Sequence, residues 1–227
     1  MTRVLVCLVF SLIWLFVSPL RTFAGESYNF GEVSDGQVNE ALIKTVPVRF
    51  LPSSPLHFLI SAKETFFRIF KPSAVRRAEF DFILSGKRLK EVYLLLEAGD
   101  VKNASKTLDA YYKRSKKMIE QISKAKSQNQ DVTKLVGTIA DDLRAHEILL
   151  LAIYKNKSYG QNAYNFQDNF KRAYEGFVNM IETVDEIRPG IRDRFSMTRQ
   201  ELPTPEPSAT PYLLEATPSV RPRRIIY

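Results

Sequence analysis

From Val75 to Ala125, apolar and small residues return at alternating intervals of three and four, and this spacing commits the segment to long helices. The first run is Val75, Ala78, Phe82, Ser85, Leu89, Val92 and Leu96; the second is Val101, Ala104, Leu108, Tyr111, Ser115, Met118, Ile122 and Ala125. A mean repeat near 3.5 keeps every member on one face of a helix, whereas a strand alternates with period two and would scatter them over both faces. Between the runs, Gly99 supplies a residue suited to the left-handed cap of the first helix, and Asp100 a carboxylate for the free N–H groups of the next. Phe80, Ile83, Leu84, Leu94 and Leu95 widen the apolar arc of the first helix beyond what a surface helix needs, which predicts contact on two sides and a central place in the fold. The second helix should be about 40 Å long at 1.5 Å per residue.

Two further seams follow. After a polar turn at 128–131 come Val132, Val136, Ile139, Leu143, His146, Leu150 and Ile153; after a loop at 156–160 come Ala163, Phe166, Phe170, Ala173, Phe177, Ile181, Val184 and Ile187, ended by Pro189 and Gly190. Residues 191–200 are expected to add only a frayed turn. Ahead of the central helix, Ser54 is placed to cap a helix and Pro55 to occupy its first turn, where a missing N–H costs nothing. Leu56, Leu59, Phe66, Phe67 and Phe70 then share roughly one face of a short helix, Pro72 stops it, and Ser73 starts the next. Short links between long amphipathic helices imply antiparallel neighbours. The expected fold is all-α: an up-and-down antiparallel bundle of four long helices with the short N-terminal helix against it.

The order Pro52, Ser54, Pro55, Leu56, Leu59 with Lys63, then Phe70, then Arg77-Ala78-Glu79, then Arg88, Leu89 and Glu91, closed by Gly99-Asp100, resembles the bacterial family catalogued as domain of unknown function 5667. The resemblance spans about residues 51–124. It implies an extracytoplasmic helical domain with a signal or anchor ahead of it and a low-complexity tail behind, and it brings no activity and no site residues. Ser85, Gly86 and Val92 depart from the family pattern, and Gly86 is expected to disturb the straightness of its helix, since an interior glycine costs ~1 kcal/mol.

The ends of the chain read accordingly. Arg3 is followed by an uncharged run from Val4 to Val17, then Pro19 and a small-residue site at Ala24, so residues 1–24 are expected to be a signal peptide or, if uncleaved, an anchor. The run is shorter than the ~20 residues that a spanning helix prefers. Residues 25–50 read as an extended leader, 51–200 as the helical domain, and 201–227, with six prolines, as a disordered tail. The one cysteine, Cys7, lies in the apolar run and has no partner for a disulfide within the chain.

The net charge of +8, or +6 without the first 24 residues and their two arginines, suits an anionic envelope surface as well as plain solvation, and no nucleic-acid partner is expected. The lysines of the second long helix read as a solvated face opposed by carboxylates of its neighbours. No nucleophile elbow, phosphate loop or zinc-type His or Cys spacing is present in the sequence. Catalytic, cofactor-binding and metal-ligating residues are therefore expected to be none. His146, on a core seam with Asp142 and Glu147 nearby, is expected to be a buried imidazole bonded to a tyrosine or a carbonyl rather than a metal ligand, and His57 is the only other histidine. The leading reading is a non-enzymatic extracytoplasmic interaction or scaffold domain, its partner an unidentified protein or an anionic envelope surface, with membrane association through the N-terminal segment. The alternatives are a small-ligand or metal carrier built around His146 and the tyrosines, and a hydrolase using Asp141, Asp142 and Glu147.

Overall fold

The computed structural model describes residues 32–156 and 163–199. Within them the chain is all-α: α1 (Asp35–Lys44), α2 (His57–Ile69), α3 (Ala74–Glu97), α4 (Val101–Ser127), α5 (Thr133–Lys155) and α6 (Ala163–Asp185), then two 3-10 turns at Arg192–Arg194 and Met197–Arg199, with no strand among the described residues. The expected signal or anchor at 1–24 and the tail at 201–227 lie outside the described residues.

The long seams became the core. Leu89, Val92, Leu108, Tyr111, Met118, Ile122, Ile139, Leu143, Phe177 and Ile181 have no exposed surface. Ser73 caps α3, its hydroxyl accepting from the Arg76 N–H at 3.2 Å. Gly99 closes α3 at φ +75°, a conformation that costs other residues dearly, and the Asp100 N–H turns back to the Leu95 carbonyl at 2.8 Å. The Asp100 carboxylate then accepts from the Asn103 N–H at 3.1 Å and opens α4. Helix α3 lies along α4 and α5, α4 along α6, and α6 against α5; α1 rests on α5.

Four expectations need correcting. The stretch expected to be an extended leader contains α1: Ser34 and Gln37 form a reciprocal capping box, and Val38 and Ala41, one turn apart, are buried in the core, so the packed body begins ahead of residue 51. The segment after Gly190 is more than a frayed turn, because Ile191, Phe195 and Met197 are buried in the same core. Its backbone is tied down by two carboxylates: Asp185 accepts from the Ile191 N–H at 2.8 Å and Glu147 from the Met197 N–H at 2.9 Å. Gly86 leaves α3 unbroken; its bare Cα is where the His146 ring comes close, and a Cβ there would stand 2.8 Å from Nε2. Helix α2 starts at His57 with no side-chain cap, the Ser54 hydroxyl accepting from the Leu56 N–H in the turn ahead of it.

The lysines of α4 are largely solvated. Among the described residues, neighbouring segments oppose only some cations of that face, Arg114 by Asp81 of α3 at 2.9 Å and Lys126 by Glu186, just past α6, at 3.9 Å.

Candidate functional site

Helix α2 is mounted with its charges inward and its rings outward. The 3.6-residue period sorts its side chains into two stripes. His57, Ile60, Ser61, Glu64 and Arg68 recur at three, one, three and four and face the body, Glu64 being buried outright. On the opposite side Phe58, Leu59, Phe66, Phe67, Ile69 and Phe70 are 65, 53, 60, 49, 70 and 66% exposed. At the ~150–250 Å² that an aromatic side chain can bury, these six present on the order of 600 Å² of apolar surface, at or above the largest patch of an ordinary monomer. Phe66 packs on Phe67 edge-on at 6.4 Å and on Phe70 at 4.5 Å, so the rings form one cluster, and the Lys63 ammonium lies 5.6 Å from the Phe67 ring centre.

Long charged side chains, rather than close backbone approach, hold α2 to α3. Glu64 accepts from Lys87 at 2.5 Å and from Arg88, both buried on α3. Arg88 also reaches Glu91 at 2.5 Å and the His57 imidazole Nε2 at 3.3 Å. One turn further along, Asp81, with no exposed surface, accepts from the Arg68 Nε and Nη2 at 2.9 Å and from Arg114 of α4 at 2.9 Å, joining three helices through one carboxylate. The layer holds four cations (Arg68, Lys87, Arg88, Arg114) against three carboxylates (Glu64, Asp81, Glu91), all partly or wholly buried. Such a layer tolerates no deletion, because each removed partner leaves a desolvated charge behind. Burial, seconded by the Arg88 guanidinium, holds His57 below its usual pKa, which keeps its ring neutral and able to accept from Arg88. Glu91 lies 3.9 Å from His57 and 3.8 Å from Lys87, and its Oε1 makes no hydrogen bond. Burial raises its pKa against the opposing pull of Arg88 and Lys87.

The residues considered for chemistry lie elsewhere and do not converge. His146 is buried, stacked on Phe82 at 4.8 Å and edge-on to Tyr111 at 5.9 Å, and burial lowers its pKa to about 3. Its expected hydrogen bond to a tyrosine or carbonyl is not made: Nδ1 has no partner, nor does the Tyr111 hydroxyl. Beside it lies a pocket of about 70 Å³ lined by Thr45, Phe82, Gly86, Asp142 and His146 among others. That is far below the ~300–1,000 Å³ of ordinary ligand sites. Glu147 is occupied by Arg144, Ser196 and the Met197 N–H. Asp141 faces Arg194 at the surface, 3.4 Å away, and Asp142 is exposed at the pocket lip. Among the described residues no group of three or more His, Cys, Asp or Glu is placed to hold a metal, and no helix is long and apolar enough to cross a membrane.

No family model, curated protein or solved structure matches this chain. Arg88 and Glu91 stand in the sequence as part of a motif without a role, and Glu64, Arg68 and Asp81 belong to no motif there. The signal that finds them is the polar stripe of His57, Ser61, Glu64 and Arg68 at helical spacing, set against charged residues on the wide arc of a helix otherwise destined for the core.

Proposed function

We propose that this chain is a non-enzymatic interaction or scaffold domain, extracytoplasmic and belonging with the family it resembles, and that it docks through the outer face of α2. In this reading α3 to α6 form an up-and-down antiparallel bundle. The support is the closed circuit of neighbours, α3 with α4, α4 with α6, α6 with α5 and α5 with α3, together with short links at 98–100 and 128–132. The observation that carries the functional reading is the orientation of α2: a helix that buries Glu64 and exposes four phenylalanines gains nothing from that arrangement in water alone. A second reading, a small-ligand or metal carrier between helices, draws on the unpartnered Nδ1 of His146 and hydroxyl of Tyr111; the ≈70 Å³ of the adjoining pocket weighs against it.

The test is the triple substitution Phe66→Ser, Phe67→Ser, Phe70→Ser. Surface changes of this kind move stability by roughly 0.5 kcal/mol each or less, so the unfolding midpoint should hold while retention of the protein at the source cell's envelope and its crosslinks there are lost. Unchanged retention would remove α2 as the docking element.

A further inference from the structure

We infer that the outer face of α2 seats on an anionic lipid surface, with its phenylalanine rings at the headgroup and acyl boundary and its inner face still tied to α3. This deepens the docking reading and rests on it. The chemistry of the exposed side fits a helix lying in a membrane interface, with clustered rings on the water-free side and cations along the edge. The charge pattern is one-signed. Between Glu40 and Glu79 the only acid is Glu64, and Glu64 is buried against Lys87 and Arg88. Lys63 remains exposed on the outward side, while its sequence neighbour Glu64 is turned inward and paired, so this surface is apolar and positive, the complement of an anionic bilayer.

Two further observations favour lipid over other occupants. The chain ahead of the described residues carries the uncharged run from Val4 to Val17, a segment suited to bringing the domain to a membrane whether or not it is later removed. A second copy fits poorly, because pairing through the rings would bring Lys63, which lies over Phe67, close to its own like charge. The ionic mounting also has a purpose in this account. An apolar inner face would let α2 turn its rings into the core, whereas the Glu64 and Asp81 pairs fix them outward.

The sequence has one tryptophan, Trp14, so the full-length chain carrying Trp14→Phe and Phe67→Trp has a single indole reporter on the proposed face. Its emission is followed with vesicles of brominated phosphatidylcholine and phosphatidylglycerol, of brominated phosphatidylcholine alone, and with native envelope membranes. The expected result is a blue shift and bromine quenching with the anionic vesicles, weakened by salt and by leaving out phosphatidylglycerol, and an affinity about fivefold lower on Lys63→Ala. A reporter on α4 (Trp14→Phe, Lys117→Trp) should stay unquenched; equal quenching there would overturn the inference. So would an indole at position 67 that stays open to acrylamide with anionic vesicles, or one already shielded before lipid is added, which would mean that the chain itself or a second copy covers α2. Shielding by native envelopes but not by pure lipid would leave the docking reading standing and remove lipid as its partner, and shielding by neither would remove both.

Discussion

Replacing Gly86 by alanine sets two magnitudes against each other. An interior glycine costs a helix about 1 kcal/mol relative to alanine, and on that ground alone Gly86→Ala in the middle of α3 should stabilise the protein. The added Cβ, however, would stand 2.8 Å from His146 Nε2, 3.5 Å from Cδ2 and 3.6 Å from a Thr45 methyl. The imidazole is 3% exposed and packs against both Phe82 and Tyr111, so moving aside for a Cβ would disturb both ring contacts. Overpacking of this kind costs about 1–3 kcal/mol, so the net effect should be a loss of up to about 2 kcal/mol. In a His146→Ala background the clash disappears and the same substitution should stabilise by up to about 1 kcal/mol, leaving a coupling of about 1–3 kcal/mol between the two sites. Equilibrium urea unfolding of the four proteins measures the cycle. If Gly86→Ala raises the midpoint equally with and without His146, the close approach of ring and helix is not what glycine serves there.

Other outcomes follow from the same geometry. Leu89→Ala should cost about 2–5 kcal/mol, since the side chain has no exposed surface, and Lys90→Ala about 1 kcal/mol rather than nothing, since Lys90 Nζ donates to the Leu42 carbonyl at 2.6 Å and holds the end of α1; urea midpoints separate them. His146, with its pKa lowered to about 3, binds a proton in the unfolded chain near 6.5 but not in the folded one, so stability present above pH 6.5 is lost as pH falls toward 3, by up to about 1.4 kcal/mol per pH unit. A His146→Gln variant should show a shallower acid slope in urea titrations at stepped pH. Asp81→Asn leaves Arg68 and Arg114 without their shared carboxylate and should cost about 3–5 kcal/mol, against near-neutrality for Phe67→Ser on the outer face of α2, as read by thermal unfolding. Glu147→Ala should free the segment carrying Arg192 and Arg194, seen as faster trypsin cleavage there than in the parent protein.

The helices were legible because their seams are long and regular: Leu89, Leu108, Leu143 and Phe177 stand where a 3.5-residue repeat puts them, and each is buried. Punctuation by Ser73, Gly99 and Asp100 was equally plain, since each acts on neighbours within four residues. Helix α1 escaped because its core contribution is only Val38 and Ala41, two residues whose value lies in distant α5. The orientation of α2 escaped for a deeper reason. Periodicity separates two faces but does not say which one turns inward, and here the partners that decide it, Lys87, Arg88 and Asp81, are charged residues on a helix that hydrophobicity alone would call core. The missing hydrogen bond of His146 had no sequence signal either, since stacking on Phe82 depends on how α3 and α5 meet.

The central claim is that α2 carries its charges inside and its rings outside, and hydroxyl-radical footprinting of the free protein tests it ring by ring. The account predicts rapid oxidation of Phe58, Phe66, Phe67 and Phe70, with Phe82, Phe166 and Phe177 protected. Protection of the α2 phenylalanines to the level of Phe177, in a monomeric sample, would mean that the helix packs the other way round or that another part of the chain covers it, and the docking surface would not exist.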